Sequence, residues 1–227
     1  MNTIWTLFKR IAPQNDQQSF IGGKPFLPTG TNLPTCKLCG QREAFMFQVA
    51  FPPQANWGGR TISCFACMRC ADESFLIPEM LEEHWQGCDI PNGFLQSYQR
   101  NFTFLVFPTN DAKIVENYEE QVAFVALELQ SGLANGGFGK IGGTPNWVLD
   151  DETPATYSSK IPMIFILELS PGIQFPKVQG ALPQTELDIF GSPSTSPLDY
   201  YQLFLGNATF LFGTSSGDPL VYAITQV

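Results

Sequence analysis

CKLCGQREAFMFQVAFPPQANWGGRTISCFACMRC, Cys36 to Cys70, is the stretch on which the reading of this chain turns. Cys-x-x-Cys spacings bracket an apolar run, a Pro/Gly/Asn-rich turn and a second apolar run, the pattern of an antiparallel hairpin with a knuckle at each end. Zinc prefers four soft thiolates in a tetrahedron at about 2.3 Å, and two cysteines separated by two residues on a tight turn supply half of that shell without strain. Five cysteines fall in the window, so the second pair is either Cys64 with Cys67 or Cys67 with Cys70. Cys67 and Cys70 are preferred, because Thr61 to Ala66 reads as strand and a knuckle sits more easily on the turn after it. The expected ligands are therefore Cys36, Cys39, Cys67 and Cys70, and the expected cofactor is zinc. Four protein ligands leave no open position, which makes such a site structural. The competing readings are buried free thiols or a disulfide, and a redox pair would need a strand-to-helix unit that neither spacing has.

The two apolar runs, AFMFQVAF and GRTISCFA, are nearly continuous, as in strands covered on both faces. RNFTFLVFP (Arg100 to Pro108) is a third convincing strand. Ile4, Leu7, Phe8 and Ile11 recur at helical spacing and predict a short amphipathic helix. FIGGKPFLPTGTNLPTC (Phe20 to Cys36) is too rich in Gly and Pro for a central strand or helix and is expected to be an ordered loop. PEMLEEHW, with Pro78 near its start, predicts one or two helical turns. ENYEEQVAFVALE fits either a helix start or a strand.

The second half of the chain resembles the first. FIGGKPFLP returns as KIGGTPNWV (Lys140 to Val148), and AFMFQVAFPP returns as PMIFILELSPG (Pro162 to Gly172). NATFLFG (Asn207 to Gly213) stands where GRTISCFA stood, and LVYAITQV parallels RNFTFLVF. The second copy has no cysteines and carries an insertion from about Gln174 to Tyr201. The expected organisation is a first repeat over 1–135 with the four-cysteine zinc knuckle and a cysteine-free second repeat over 136–227, packed as one unit. The expected class is α+β with mostly antiparallel sheets and few short helices.

Composition narrows the function. Twelve Lys and Arg against 21 Asp and Glu give a net charge of -9. Nucleic-acid binding is driven by clustered cations on phosphates, so this balance argues against a nucleic-acid partner and either suits a basic protein partner or serves solubility alone. The N-terminus, MNTIWTLFKRIA, places its cations after the apolar run, the reverse of a signal peptide, and no apolar stretch reaches the length of a membrane span. A cytoplasmic protein with reduced cysteines is expected.

No catalytic constellation emerges. The single histidine, His84, has no G-x-S-x-G serine to serve, and with Cys88 at i+4 it is the alternative source of metal ligands. NGGFGKIGGTP (Asn135 to Pro145) lacks the hydroxyl after its lysine and the helix start of a phosphate-binding loop. Glu82-Glu83 and Glu119-Glu120 read as solvated faces or a helix N-terminus rather than as an acid–base pair. Asp150, Asp151 and Glu152 follow Trp147 in a loop, and an aromatic beside carboxylates is an anchor for a basic surface.

With these motifs assembled, the chain resembles the YwqG-like family, a bacterial domain family without an assigned reaction. FIGGKPFLP, PTCKLCGQREAFMFQVAF, RNFTFLVFP, KIGGTPNWV and NATFLFG carry the resemblance, which runs from about Phe20 to the C-terminus. The knuckle hairpin is also similar to the zinc-binding portion of the programmed cell death protein two family. The first resemblance implies an association with toxin-immunity pairs, and the second a chaperone for a basic ribosomal protein. Both imply a non-catalytic protein that binds a basic partner, with the insertion departing from the family pattern.

Overall fold

Side chains that alternate across a pleat can bury both faces of a strand only when another layer covers each, and the apolar runs of this chain find that cover in one large sheet. The computed structural model describes residues 3–14, 18–81 and 86–227. Its sheet strands are β1 (Trp5–Arg10), β2 (Phe20–Ile21), β3 (Ala44–Ala50), β4 (Arg60–Ala66) and β5 (Phe102–Pro108), followed by β6 (Val125–Ser131), β7 (Gly139–Ile141), β8 (Ile161–Leu169), β9 (Ala208–Thr214) and β10 (Val221–Gln226). They pair in the order β10-β9-β8-β7-β1-β6-β2-β3-β4-β5, with every neighbour antiparallel. Asp89–Ile90 and Thr156–Tyr157 complete a twelve-stranded sheet. The only α-helix among the described residues is Phe94–Ser97, so the molecule is mostly β rather than α+β.

The order reads alike from its two ends. Phe20 faces Gln48 and Lys140 faces Glu168, and each register skips a residue, between Phe45 and Phe47 in β3 and between Phe165 and Leu167 in β8. The same interval along the chain separates Phe20 from Lys140, Gln48 from Glu168, and Phe45 from Phe165. Each Gly-Gly turn has both glycines at positive φ, and a Cβ at Gly142 would stand 2.6 Å from the Thr3 carbonyl. Past each turn the chain folds back, so that Phe26 N donates to Gln48 Oε1 and Asn146 N donates to Glu168 Oε2. The first strand crosses over: β1 pairs with β7 on one edge and β6 on the other.

Two expectations about the N-terminal part are corrected. The stretch with helical spacing is β1, because hydrogen-bonding neighbours on both edges and burial of Trp5, Thr6 and Leu7 outweigh a periodicity that leaves Ile11 fully exposed. FIGGKPFLP is not wholly a loop, since Phe20 and Ile21 form a short central strand between β6 and β3 before Gly22-Gly23 turns the chain away. Pro78 to Leu81 are not helical, and the remainder of that expected helix, with His84, lies outside the described residues. The ambiguous ENYEEQVAFVALE supplies β6. The Gln174 to Tyr201 insertion forms two small antiparallel ladders, Gln174–Pro176 with Tyr200–Gln202 and Thr185–Leu187 with Pro193–Thr195.

The larger core takes in consecutive residues of β9 and β10, Phe210 to Phe212 and Val221 to Ile224, and so covers both faces of the second half of the sheet, while a smaller cluster of Phe20, Leu27, Phe45, Phe65, Phe107 and Tyr118 packs against the first half. No helix among the described residues is long and apolar enough to cross a membrane.

Candidate metal centre

Thr35 bridges Arg42, which closes a turn at the stem of the first knuckle. Within it Cys36 N donates to Gln41 O and Gly40 N donates to Cys36 O, both at 2.8 Å. The second knuckle follows β4 directly. Cys67 N donates to Asn101 O at 2.8 Å, and Arg69 N donates to Cys67 Sγ at 3.4 Å. Lys37 N donates to Arg100 O, so both knuckles are tied to the chain entering β5. The hairpin that carries them is among the most deeply buried parts of the sheet, and its side chains leave the knuckles little freedom.

The result is a cluster of four thiols. The sulfurs of Cys36, Cys39, Cys67 and Cys70 all lie within 4.8 Å of one another. Cys36 Sγ is 3.5 Å from Cys70 Sγ, and Cys39 Sγ is 3.6 Å from Cys67 Sγ. A tetrahedron with bonds of about 2.3 Å has edges of roughly 3.8 Å, whereas a disulfide requires about 2.05 Å. The donors therefore fit a tetrahedral thiophilic metal ion. Burial raises the Cys67 thiol to about 12 and also pushes Cys70 upward, while at Cys39 burial is outweighed by hydrogen bonds from Cys70 and Gln41 that lower it. Binding a cation would release these protons and convert the cluster into a cross-link between the segment entering β3 and the segment leaving β4.

The remaining cysteines lie elsewhere. Cys64 is wholly buried on β4 in the larger core, and burial drives its thiol well above the usual range. Cys88 is partly buried, with its thiol raised first by burial and then by Asp89 and Glu152. Neither belongs to the four-sulfur cluster.

Glu43, which no motif singled out, sits between the first knuckle and β3. It is 3% exposed, and its Oε2 has no hydrogen-bond partner. Burial pushes its carboxyl up to about 7, against the opposing hydrogen bond from Thr103 and the charge of Lys37. A folded-state value above the unfolded value means that the native chain holds the extra proton. Its contribution is complete below about pH 4.5 and is lost as pH rises through about 7. Glu43→Gln should therefore stabilise the protein by roughly 2 kcal/mol at pH 8 and by little at pH 4.5. Urea titrations at the two pH values check this, and equal effects would contradict it.

The four residues expected to bind a partner divide. Trp147 is half-buried, with ring centroids 4.3 Å from Phe210 and 5.9 Å from Phe212, and so covers the sheet instead of projecting from it. Asp150 and Asp151 are exposed, and Glu152 is partly buried. Asp151 is held by Thr153 N at 2.9 Å and Gln86 Nε2 at 2.8 Å, and these hydrogen bonds bring its carboxyl down despite some burial. The sequence reading missed Val148 and Leu149, which are 50% and 65% exposed beside the carboxylates. The buried Gln226 fixes them: its Oε1 accepts from Val148 N and Leu149 N at 2.9 Å, and its Nε2 donates to Asp150 O at 2.9 Å. Lys140, the lysine of the glycine-rich segment, is buried in an ion pair with Glu168 at 3.3 Å and donates to Thr144 O at 2.6 Å.

No family model matches the chain, and no curated protein matches it.

Proposed function

We propose that this chain is a non-catalytic, zinc-stabilised protein-binding scaffold of the bacterial cytoplasm, built from two copies of a YwqG-like unit, which blocks a basic toxin as an immunity protein. The observation that carries the binding part is the loop Val148 to Asp151. Two exposed apolar side chains stand beside two exposed carboxylates on a backbone already fixed by Gln226, so little ordering cost remains to be met on association. The net charge of -9 steers a basic partner toward it. The thiolate cluster supplies rigidity and is kept apart from the contact.

Affinity capture from the native cells at low salt, with wild-type and Asp150→Lys baits side by side, tests the reading. One basic toxin-like protein should be retained by the wild type, released by salt, and retained at least tenfold less by the variant. The Asp150 side chain is exposed, so stability should change by no more than about 0.5 kcal/mol. Retention indifferent to salt and to Asp150→Lys would overturn the proposal, and capture of a ribosomal protein instead would favour the chaperone role implied by the second resemblance.

A further inference from the structure

The hairpin of Thr185–Leu187 and Pro193–Thr195 stands apart from the main sheet. Its tip is ordered by Asp188, whose Oδ1 accepts from Phe190 N at 2.8 Å and from Ser192 N at 2.9 Å, while Asp188 N donates to Ser192 O at 2.8 Å. That turn holds Ile189 93% exposed and Phe190 84% exposed. Two large apolar side chains presented together on a stiff turn are a ready plug.

A socket lies along the first strand of the same hairpin. Gln184 to Leu187 wall a cavity of about 210 Å³, whose apolar lining includes Phe75, Leu76, Phe102, Leu203 and Phe204. Small-molecule sites usually span about 300–1,000 Å³, so this one suits one or two protein side chains. Its rim is strained: Phe204 and Leu205 are consecutive non-glycine residues with φ of 49° and 60°, and Leu205 is 54% exposed. Strain of this kind gathers at clamps and contact sites.

We propose that the Ile189–Phe190 tip of one copy enters this cavity of a second copy, and reciprocally, to form a two-fold dimer. Plug and socket share one hairpin, so a single two-fold axis satisfies both contacts with the hairpins side by side, the self-complementary geometry of an isologous interface. Two insertions, with the walls they cover, hide on the order of 800–1,000 Å², below the roughly 1,200 Å² at which stable interfaces begin, so the dimer is a weak one that forms at high protein concentration. Asp188 at the tip and Glu186 on the adjoining strand, in a chain of net charge -9, oppose an anionic lipid surface as the alternative occupant. The same charge makes the two copies repel, so added salt should strengthen the dimer, opposite to its effect on a basic partner.

Sedimentation velocity of the metal-loaded chain from about 5 to about 500 µM tests this. The expected result is concentration-dependent dimerisation that is stronger in salt, weakened at least tenfold by Phe190→Asp with the thermal midpoint unchanged, and also weakened by the socket-filling Thr185→Trp. A photo-crosslinker replacing Phe190 should join Leu203 to Leu205 or Phe75 of the other copy. A monomer at every concentration, a dimer indifferent to Phe190→Asp, or a crosslink mapped elsewhere would overturn it. So would Phe190-dependent binding of the monomer to neutral phosphatidylcholine vesicles, which would give the tip to a membrane.

Discussion

Cys36→Ser is expected to leave a chain that binds less than one metal ion per molecule and unfolds about 6–20 °C lower. Structural zinc contributes apparent energies on the order of 10–16 kcal/mol in small domains, and a whole protein is stable by only about 5–15 kcal/mol. Here the sheet supplies much of the stability, so the expected loss is a fraction of the metal's energy, about 3–5 kcal/mol. For a chain of 227 residues each kcal/mol moves the midpoint by about 2–4 °C. Cys36 is buried, and its partners Cys39, Cys67 and Cys70 would be left as a three-sulfur set that cannot close the tetrahedron. Cys88→Ser, outside the cluster, should change the midpoint by far less. Scanning calorimetry with metal analysis on both variants decides the matter, and a metal-free Cys36→Ser protein with the wild-type midpoint would refute the cross-link.

Trp57→Ala should destabilise the whole molecule by about 3–5 kcal/mol, in one transition. Trp57 lies in the turn between β3 and β4, yet its side chain is buried against the other half of the sheet. Its Nε1 donates to Thr214 O at 3.0 Å, its ring meets Phe51 edge-on at 6.0 Å, and it rests on Gly213, where a Cβ would overlap the indole. Truncation leaves a cavity and removes one of the two donors to the Thr214 carbonyl, Gly217 N at 3.0 Å being the other. Trp57→Phe keeps most of the packing and should cost about 1–2 kcal/mol, the share of the lost hydrogen bond. Chemical denaturation followed by fluorescence and by circular dichroism checks both values, and a change under 1 kcal/mol for Trp57→Ala would show that the two halves do not depend on this contact.

The contrast between these two sites shows what the sequence could and could not disclose. The thiol cluster was legible because its information is local: ligand type, a two-residue spacing, and a hairpin short enough to bring the knuckles together. Even the choice of Cys70 over Cys64 followed from where β4 ends. Trp57 was invisible, since a Pro/Gly-rich turn says nothing about a partner on β9. Ile4, Leu7, Phe8 and Ile11 misled for a similar reason, because their helical spacing competes with two strand edges that arrive from Val125–Ser131 and Gly139–Ile141. Phe20 and Ile21 were hidden by the glycines after them, which end a central strand after two residues. At the acidic loop the carboxylates were legible as charges, but the orientation of Trp147 was set by Phe210 and Phe212, and the exposure of Val148 and Leu149 by Gln226 near the end of the chain.

Glu43 escaped notice because a lone glutamate beside Arg42 reads as a surface charge pair. The knuckle and β3 adjoin it in sequence, but Thr103 of β5, which hydrogen-bonds its carboxyl, is sixty residues away.

X-ray absorption at the metal edge of the protein purified without added metal is the most direct test of the central claim. Four sulfur neighbours at about 2.3 Å, in one ion per chain, is the expected result. A well-folded protein with no bound metal, or a first shell containing nitrogen or oxygen, would contradict the assignment of Cys36, Cys39, Cys67 and Cys70 as a closed structural site.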